Sequence, residues 1–160
     1  HRLIPDNFFI NFIYYFLRNS LLPIAILFGG YYLFTKDAVI EKFKGFFPLL
    51  SSFYAIYLPY YIISNTQVPY SPYSTFLMPV LYLAMIVEAS ICMIDLYNDK
   101  TSAEGGNFTF HLVLLIVYLV FPALVDSLHA ISKLFIIALI VSVGYIAYPV
   151  LQLIKITKSE

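Results

Sequence analysis

The sequence predicts an all-α integral membrane protein with five transmembrane helices and an N-terminal interfacial amphipathic helix. Of its residues 61% are hydrophobic and 11% are charged, whereas soluble domains carry roughly 25% charged residues. The segment from Gly45 to Val87 contains no charged side chain. Several apolar runs approach the ~20 residues that a helix needs to cross a bilayer. We expect one polytopic domain over residues 1–160, since no internal repeat or long linker divides the chain.

The N-terminal region is predicted to form two helical segments. Polar residues of the segment from Pro5 to Leu17 fall on one helical stripe and phenylalanines on the rest, a pattern typical of a helix lying in the membrane interface. A first span then runs from Asn19 to Phe34, with Arg18 as the interfacial anchor at its start. One long tilted helix is the alternative, because the apolar run from Leu21 to Phe34 extends only about 21 Å. Since the chain starts at His1 and not at methionine, we expect a processed or truncated N-terminus.

Four further spans follow from apolar runs of about 18 to 22 residues each. Prolines inside these runs are expected to kink the helices rather than end them, because neighbouring groups satisfy the carbonyls that proline leaves unpaired. The spans are predicted at Phe46 to Ser64, Phe76 to Tyr97, Phe108 to Val125 and Leu134 to Ile154.

The basic residues orient these helices. Five spans place the two ends of the membrane region on opposite sides, and most lysines gather on one of them. By the positive-inside rule this side faces the cytoplasm or its topological equivalent, and we call it the inner end. Nothing in the sequence indicates which membrane holds the protein. The inner end carries Lys36, Lys42, Lys44, Lys100, Lys155 and Lys158, whereas Arg2, Arg18 and Lys133 lie on the other side.

Glu88 is the first charged residue after the uncharged stretch, and it lies within a predicted span. A charge at this depth costs several kcal/mol, so we expect Glu88 to face the helix bundle and to favour its protonated form. Cys92 and Asp95 follow at helical spacing on the same face, and Asp99 extends this stripe past the membrane. Counting depth from the inner ends of the spans places Tyr118, Tyr145 and either Tyr54 or Tyr57 level with Glu88, as candidate hydrogen-bond partners.

The hairpin between the third and fourth spans predicts a second pairing. Asp95 and His111 lie at similar depth near its inner end, so a carboxylate is expected to hold the imidazole. Together with Glu88 they would form a ladder of the kind that marks proton or cation routes. Near the outer end, Asp126 and His129 are three residues apart. They are predicted to be a loop pair, although they could also meet on one helix face if the fourth helix continues through Ser127. None of these spacings is typical of a metal site.

These residues support two classes of function. Short loops and the lack of a catalytic motif favour an accessory or structural subunit of a larger membrane complex, with the lipid bilayer and other membrane subunits or a second copy as partners. The alternative is a small transporter, channel or ligand-binding membrane protein with an acidic face centred on Glu88. The residues of its ligand, proton or cation pathway are Glu88, Cys92, Asp95, His111, Tyr118 and Tyr145.

Other classes receive less support. An enzyme is least favoured, because the sequence contains no HExxH, GxSxG or multi-histidine motif. A net charge of zero gives no basis for nucleic-acid binding. One cysteine excludes an internal disulfide and a cysteine-rich metal site, and no feature indicates a cofactor.

Overall fold

A computed structural model of the chain describes residues 7–64, 71–101, 106–131 and 135–158, and every element in these ranges is helical. By length and composition, five helices within the described ranges are suited to cross a membrane. The all-helical architecture with five such helices is therefore confirmed. The helices are α1 (Phe8–Phe34), α2 (Val39–Ser64), α3 (Tyr73–Thr101), α4 (Phe108–Ile131) and α5 (Phe135–Thr157).

The helices contain the predicted apolar runs and several extend beyond them. α3 continues to Thr101 and α4 to Ile131, because polar residues at the ends of the apolar runs remain compatible with helical backbone. The prolines inside α2, α4 and α5 do not end these helices, in accord with the expectation from the sequence. Residue 134, the first of the predicted fifth span, and part of the loop after Ser64 lie outside the described residues.

The N-terminal segments are joined in one helix. Asn7 caps its start, since the side-chain Oδ1 accepts a hydrogen bond of 2.9 Å from the backbone N–H of Phe9. α-Helix over Phe8–Tyr15 leads through a π-helical turn, Phe16–Leu21, into α-helix again over Leu22–Phe34. This continuity matches the single long helix that the sequence left as the alternative. The placement of the first segment in a membrane interface stays a prediction, and Pro5 lies outside the described residues.

α3 is the central helix of the bundle. In its most apolar window 61% of the residues are buried, against 22–28% in the corresponding windows of the other four helices. It packs against α2, α4 and α5, while α1 packs along α4 and α2. The π-helical turn Tyr73–Leu77 begins α3 and precedes the α-helix Met78–Thr101. Because the part of α3 from Met78 to Cys92 is largely enclosed by its neighbours, a polar residue such as Glu88 there is removed from the surface of the bundle.

Candidate functional site

Glu88 lies on α3 with 0% of its surface exposed. The Cys92 thiol, one helical turn further on, donates to Glu88 Oε1 with an S to O distance of 3.7 Å. Oε2 has no hydrogen-bond partner among the residues that the structure describes. A thiol is a weak donor, so this hydrogen bond offsets little of the free-energy cost of burying the carboxyl group. It keeps one oxygen atom available for a proton or a bound ligand.

His111 on α4 lies between two carboxylates of α3 at the inner end. Its Nε2 is 3.8 Å from Asp95 Oδ2, and its Nδ1 is 2.7 Å from Asp99 Oδ2. The structure thus brings Asp95 and His111 together, and it adds Asp99 as the closer partner. Asp99 joins them because α3 is still helical there, which keeps it on the face of Asp95, one turn away.

These side chains define one face of α3, which we call the acidic face. Glu88, Cys92, Asp95 and Asp99 recur at spacings of four, three and four residues, and so line up along the helix. The face is turned towards α4, since His111 meets it at its inner end. It leads from the partly exposed Asp95 to the buried Glu88, over about 10 Å of helix.

Tyr118 and Tyr145 join α4 to α5. The Tyr118 hydroxyl donates to the Tyr145 backbone carbonyl at 2.9 Å, and the Tyr145 hydroxyl donates to the Tyr118 carbonyl at 2.8 Å. Their rings stack with centroids 4.4 Å apart. Both hydroxyl groups therefore donate to main-chain carbonyls rather than to Glu88, and the pair acts as a clasp between two helices.

Asp126 is a second buried carboxyl group, which the sequence placed in a loop. It is 5% exposed and lies inside α4, which continues to Ile131, so the loop predicted at this position is wrong. Its Oδ1 accepts a hydrogen bond from the Tyr73 hydroxyl, and its Oδ2 accepts one of 2.8 Å from the Tyr82 hydroxyl. His129 instead stacks on Tyr73, with ring centroids 4.2 Å apart.

Asn19 connects α1 to α2 through two further tyrosines. Its backbone carbonyl accepts a hydrogen bond of 2.5 Å from the Tyr54 hydroxyl, and its side-chain Oδ1 accepts one of 2.8 Å from the Tyr57 hydroxyl. Tyr54 also stacks on Tyr82, with centroids 5.6 Å apart. We call Asn19, Tyr54, Tyr73, Tyr82 and Asp126 the tyrosine cluster. It lies on the outer side of Glu88, because Tyr82 precedes Glu88 on α3.

Arg18, predicted as an interfacial anchor, is half-buried on the π-helical turn of α1. It donates to the Tyr14 hydroxyl, and its guanidinium carbon lies 4.8 Å from the centroid of the Tyr61 ring. No acidic side chain in the described part of the chain forms an ion pair with it. Its neighbours are therefore phenol groups, which orient its charge without neutralising it.

Little in the sequence indicates the tyrosine cluster. Tyr73 and Tyr82 precede Asp126 by 53 and 44 positions, so no local spacing connects them. The described ranges also contain no group of three or more His, Cys, Asp or Glu residues able to hold a metal ion. The chain matches no family model, no curated protein and no solved structure. Its function must therefore be inferred from the geometry of its own residues.

Proposed function

We propose that this chain is an integral, multi-pass membrane protein whose five helices span the bilayer. Its outward surfaces support this, because large aliphatic residues such as Ile136, Ile140 and Val143 are exposed along α5. Soluble monomers rarely expose contiguous apolar faces of this kind. A protein that stays in the membrane pellet after alkaline carbonate extraction would agree with this assignment, and release into the supernatant would contradict it.

We propose further that the protein transfers protons through the interface of α3 and α4, with Glu88 as the membrane-embedded acceptor. This proposal rests on the Glu88 carboxyl group, which is fully buried and has one oxygen without a hydrogen-bond partner among the described residues. Glu88 lies on the acidic face, which leads to the inner end of the bundle. Intramembrane carboxyl groups that face a bundle interior are costly, and in proton carriers they form relays with histidine. The sequence favoured an accessory subunit, but this geometry favours the transport alternative.

The residues of the acidic face have distinct roles in this proposal. Asp95 and His111 are partly exposed, with 37% and 21% of their side-chain surfaces accessible, so they exchange protons with water at the inner end. His111 holds both carboxylates and can pass a proton between its two ring nitrogens. Water entering along Cys92 would complete the path to Glu88. On the outer side of Glu88, Met85 and Tyr82 continue the same helical face, so a proton that crosses the membrane would leave Glu88 past Met85 towards the outer end.

The test is proton uptake by vesicles that contain the purified protein, an internal pH-sensitive dye and an imposed potassium diffusion potential. Glu88→Gln keeps the side-chain volume but cannot carry a proton, and we expect it to slow uptake by roughly a hundredfold. Ser90→Ala is the matched control, since Ser90 is also buried on α3 and its hydroxyl donates to the Ile86 carbonyl of the same helix, at 2.8 Å. Uptake by Glu88→Gln at the wild-type rate would refute the proposal.

The accessory-subunit hypothesis stays a prediction. The exposed apolar faces suit lipid and a neighbouring subunit equally, so the geometry gives it no specific support. Purification in native lipid followed by mass spectrometry tests it directly. Stoichiometric membrane proteins that co-purify would favour a complex, whereas an isolated chain with proton flux would favour the transport function.

A further inference from the structure

A groove of about 470 Å³ lies between α1 and α2, away from the acidic face. Leu22, Ile26 and Phe53 give it an apolar lining, and Arg18 is its one charged lining residue. Its volume falls within the range of small-ligand pockets, roughly 300–1,000 Å³. An apolar cleft with a single cation at one position has the chemistry of a site for an anionic amphipathic molecule.

The charge of Arg18 is not neutralised within the described part of the chain. Tyr14 accepts one of its hydrogen bonds, and the rings of Tyr14 and Tyr61 lie 5.5 Å and 4.8 Å from the guanidinium carbon. A guanidinium group has five N–H donors in a planar fork that matches phosphate oxygens. The aromatic contacts hold the guanidinium group in one orientation. Its positive charge stays available to a further partner.

The position of Arg18 along α1 matches the depth of a lipid headgroup. It precedes the inner end of the helix at Phe34 by about 24 Å, which leaves it roughly 6 Å below the outer boundary of a 30 Å hydrocarbon core. An arginine side chain can reach across that distance to the phosphate region. Leu22 and Ile26 follow at one and two helical turns deeper into the core, where an acyl chain would lie.

We infer that this groove binds one anionic phospholipid of the outer leaflet, with its phosphate on Arg18 and one acyl chain between α1 and α2. The π-helical turn Phe16–Leu21 supports a specific role, since such turns occur frequently at functional sites. The inference rests on the proposed membrane location and not on proton transfer, so a protein without proton flux could still bind the lipid.

The test is native mass spectrometry of the full chain, purified in mild detergent, stripped of lipid and then offered equal amounts of phosphatidylglycerol and phosphatidylcholine with identical acyl chains. We expect one phosphatidylglycerol to be retained with a preference of roughly tenfold, because the choline cation of phosphatidylcholine offsets the phosphate charge that Arg18 attracts. Arg18→Gln should abolish the preference. Arg18→Lys keeps the positive charge and should therefore keep part of the preference for phosphatidylglycerol, although its contacts with the aromatic rings should weaken.

Three controls make the outcome specific. Lys155→Gln removes a cation near the inner end of α5 and should leave the preference unchanged. Ile26→Phe narrows the groove and should lower retention of both lipids. Excess glycerol 3-phosphate should not displace the bound lipid, because it lacks the acyl chain. Three results would each overturn the inference. The first is an equal preference for phosphatidylglycerol in the wild type and Arg18→Gln, and the second is a loss of this preference in Lys155→Gln as large as in Arg18→Gln. The third is displacement of the bound lipid by glycerol 3-phosphate.

Discussion

Replacing Asp126 with alanine tests whether the tyrosine cluster holds α3 and α4 together. The change removes the acceptor of two buried hydroxyl groups, those of Tyr73 and Tyr82. A buried polar group left without a partner costs about 1–3 kcal/mol. With two such groups, we expect the free energy of unfolding to fall by about 2–6 kcal/mol. At about 2–4 °C per kcal/mol for a chain of this size, the melting temperature should drop by roughly 5–20 °C.

The assay is thermal unfolding in detergent, with Glu41→Ala as the matched control. Glu41 is also a carboxylate, but its ion pair with Lys44 at 2.8 Å is exposed, with side-chain accessibilities of 55% and 57%. Exposed pairs contribute about 0–1 kcal/mol, so this variant should melt close to wild type. Asp126→Ala melting within a degree or two of Glu41→Ala would refute the reasoning.

A double-mutant cycle with Tyr82→Phe tests how much of the loss of stability comes from the hydrogen bond between Tyr82 and Asp126. In the wild-type background this change removes one hydroxyl that donates to Asp126 at 2.8 Å. In the Asp126→Ala background the same hydroxyl is already unpaired, so its removal should cost less. We expect a coupling energy of about 1 kcal/mol, within the range for residues in direct contact. Strict additivity would show that the two side chains do not interact.

Two further results are expected elsewhere in the bundle. Tyr118→Phe and Tyr145→Phe each remove one hydrogen bond of the clasp between α4 and α5, so each should cost about 1 kcal/mol, seen as a melting temperature lower by about 2–4 °C. If both variants melt at the wild-type temperature, these hydrogen bonds do not stabilise the contact between α4 and α5. His111→Gln removes the imidazole between the two carboxylates and should slow vesicle proton uptake by roughly tenfold. An unchanged rate would exclude His111 from the path.

The sequence predicted the helices well because hydropathy and length are local properties of the chain. It also placed Asp95 beside His111, since a helical hairpin fixes the relative depth of residues near its turn. It did not identify Asp99 as the closer partner of the imidazole. Asp99 was expected to continue the acidic stripe beyond the membrane, so only Asp95 was predicted to meet the imidazole.

The tyrosine cluster could not be predicted because its contacts join distant parts of the chain. Asp126 follows the predicted end of its span by one position, which made a loop the natural interpretation. Only tertiary packing reveals that two hydroxyl groups from α3 enclose it. The π-helical turn at Asn19 is likewise absent from any periodicity in the sequence. Asn19 on this turn accepts hydrogen bonds from Tyr54 and Tyr57, which lie 35 and 38 positions further along the chain.

Glu88 and Asp126 are both buried, yet their surroundings differ in a way that separates stability from function. Each oxygen of Asp126 accepts a hydrogen bond from a tyrosine, so its desolvation is offset within the protein. Glu88 has one thiol donor and one unpartnered oxygen among the described residues. A carboxyl group that served only to join helices would gain from a second donor, as Asp126 does. Glu88 lacks one among the described residues, and this difference is the basis for its proposed role in binding and releasing a proton.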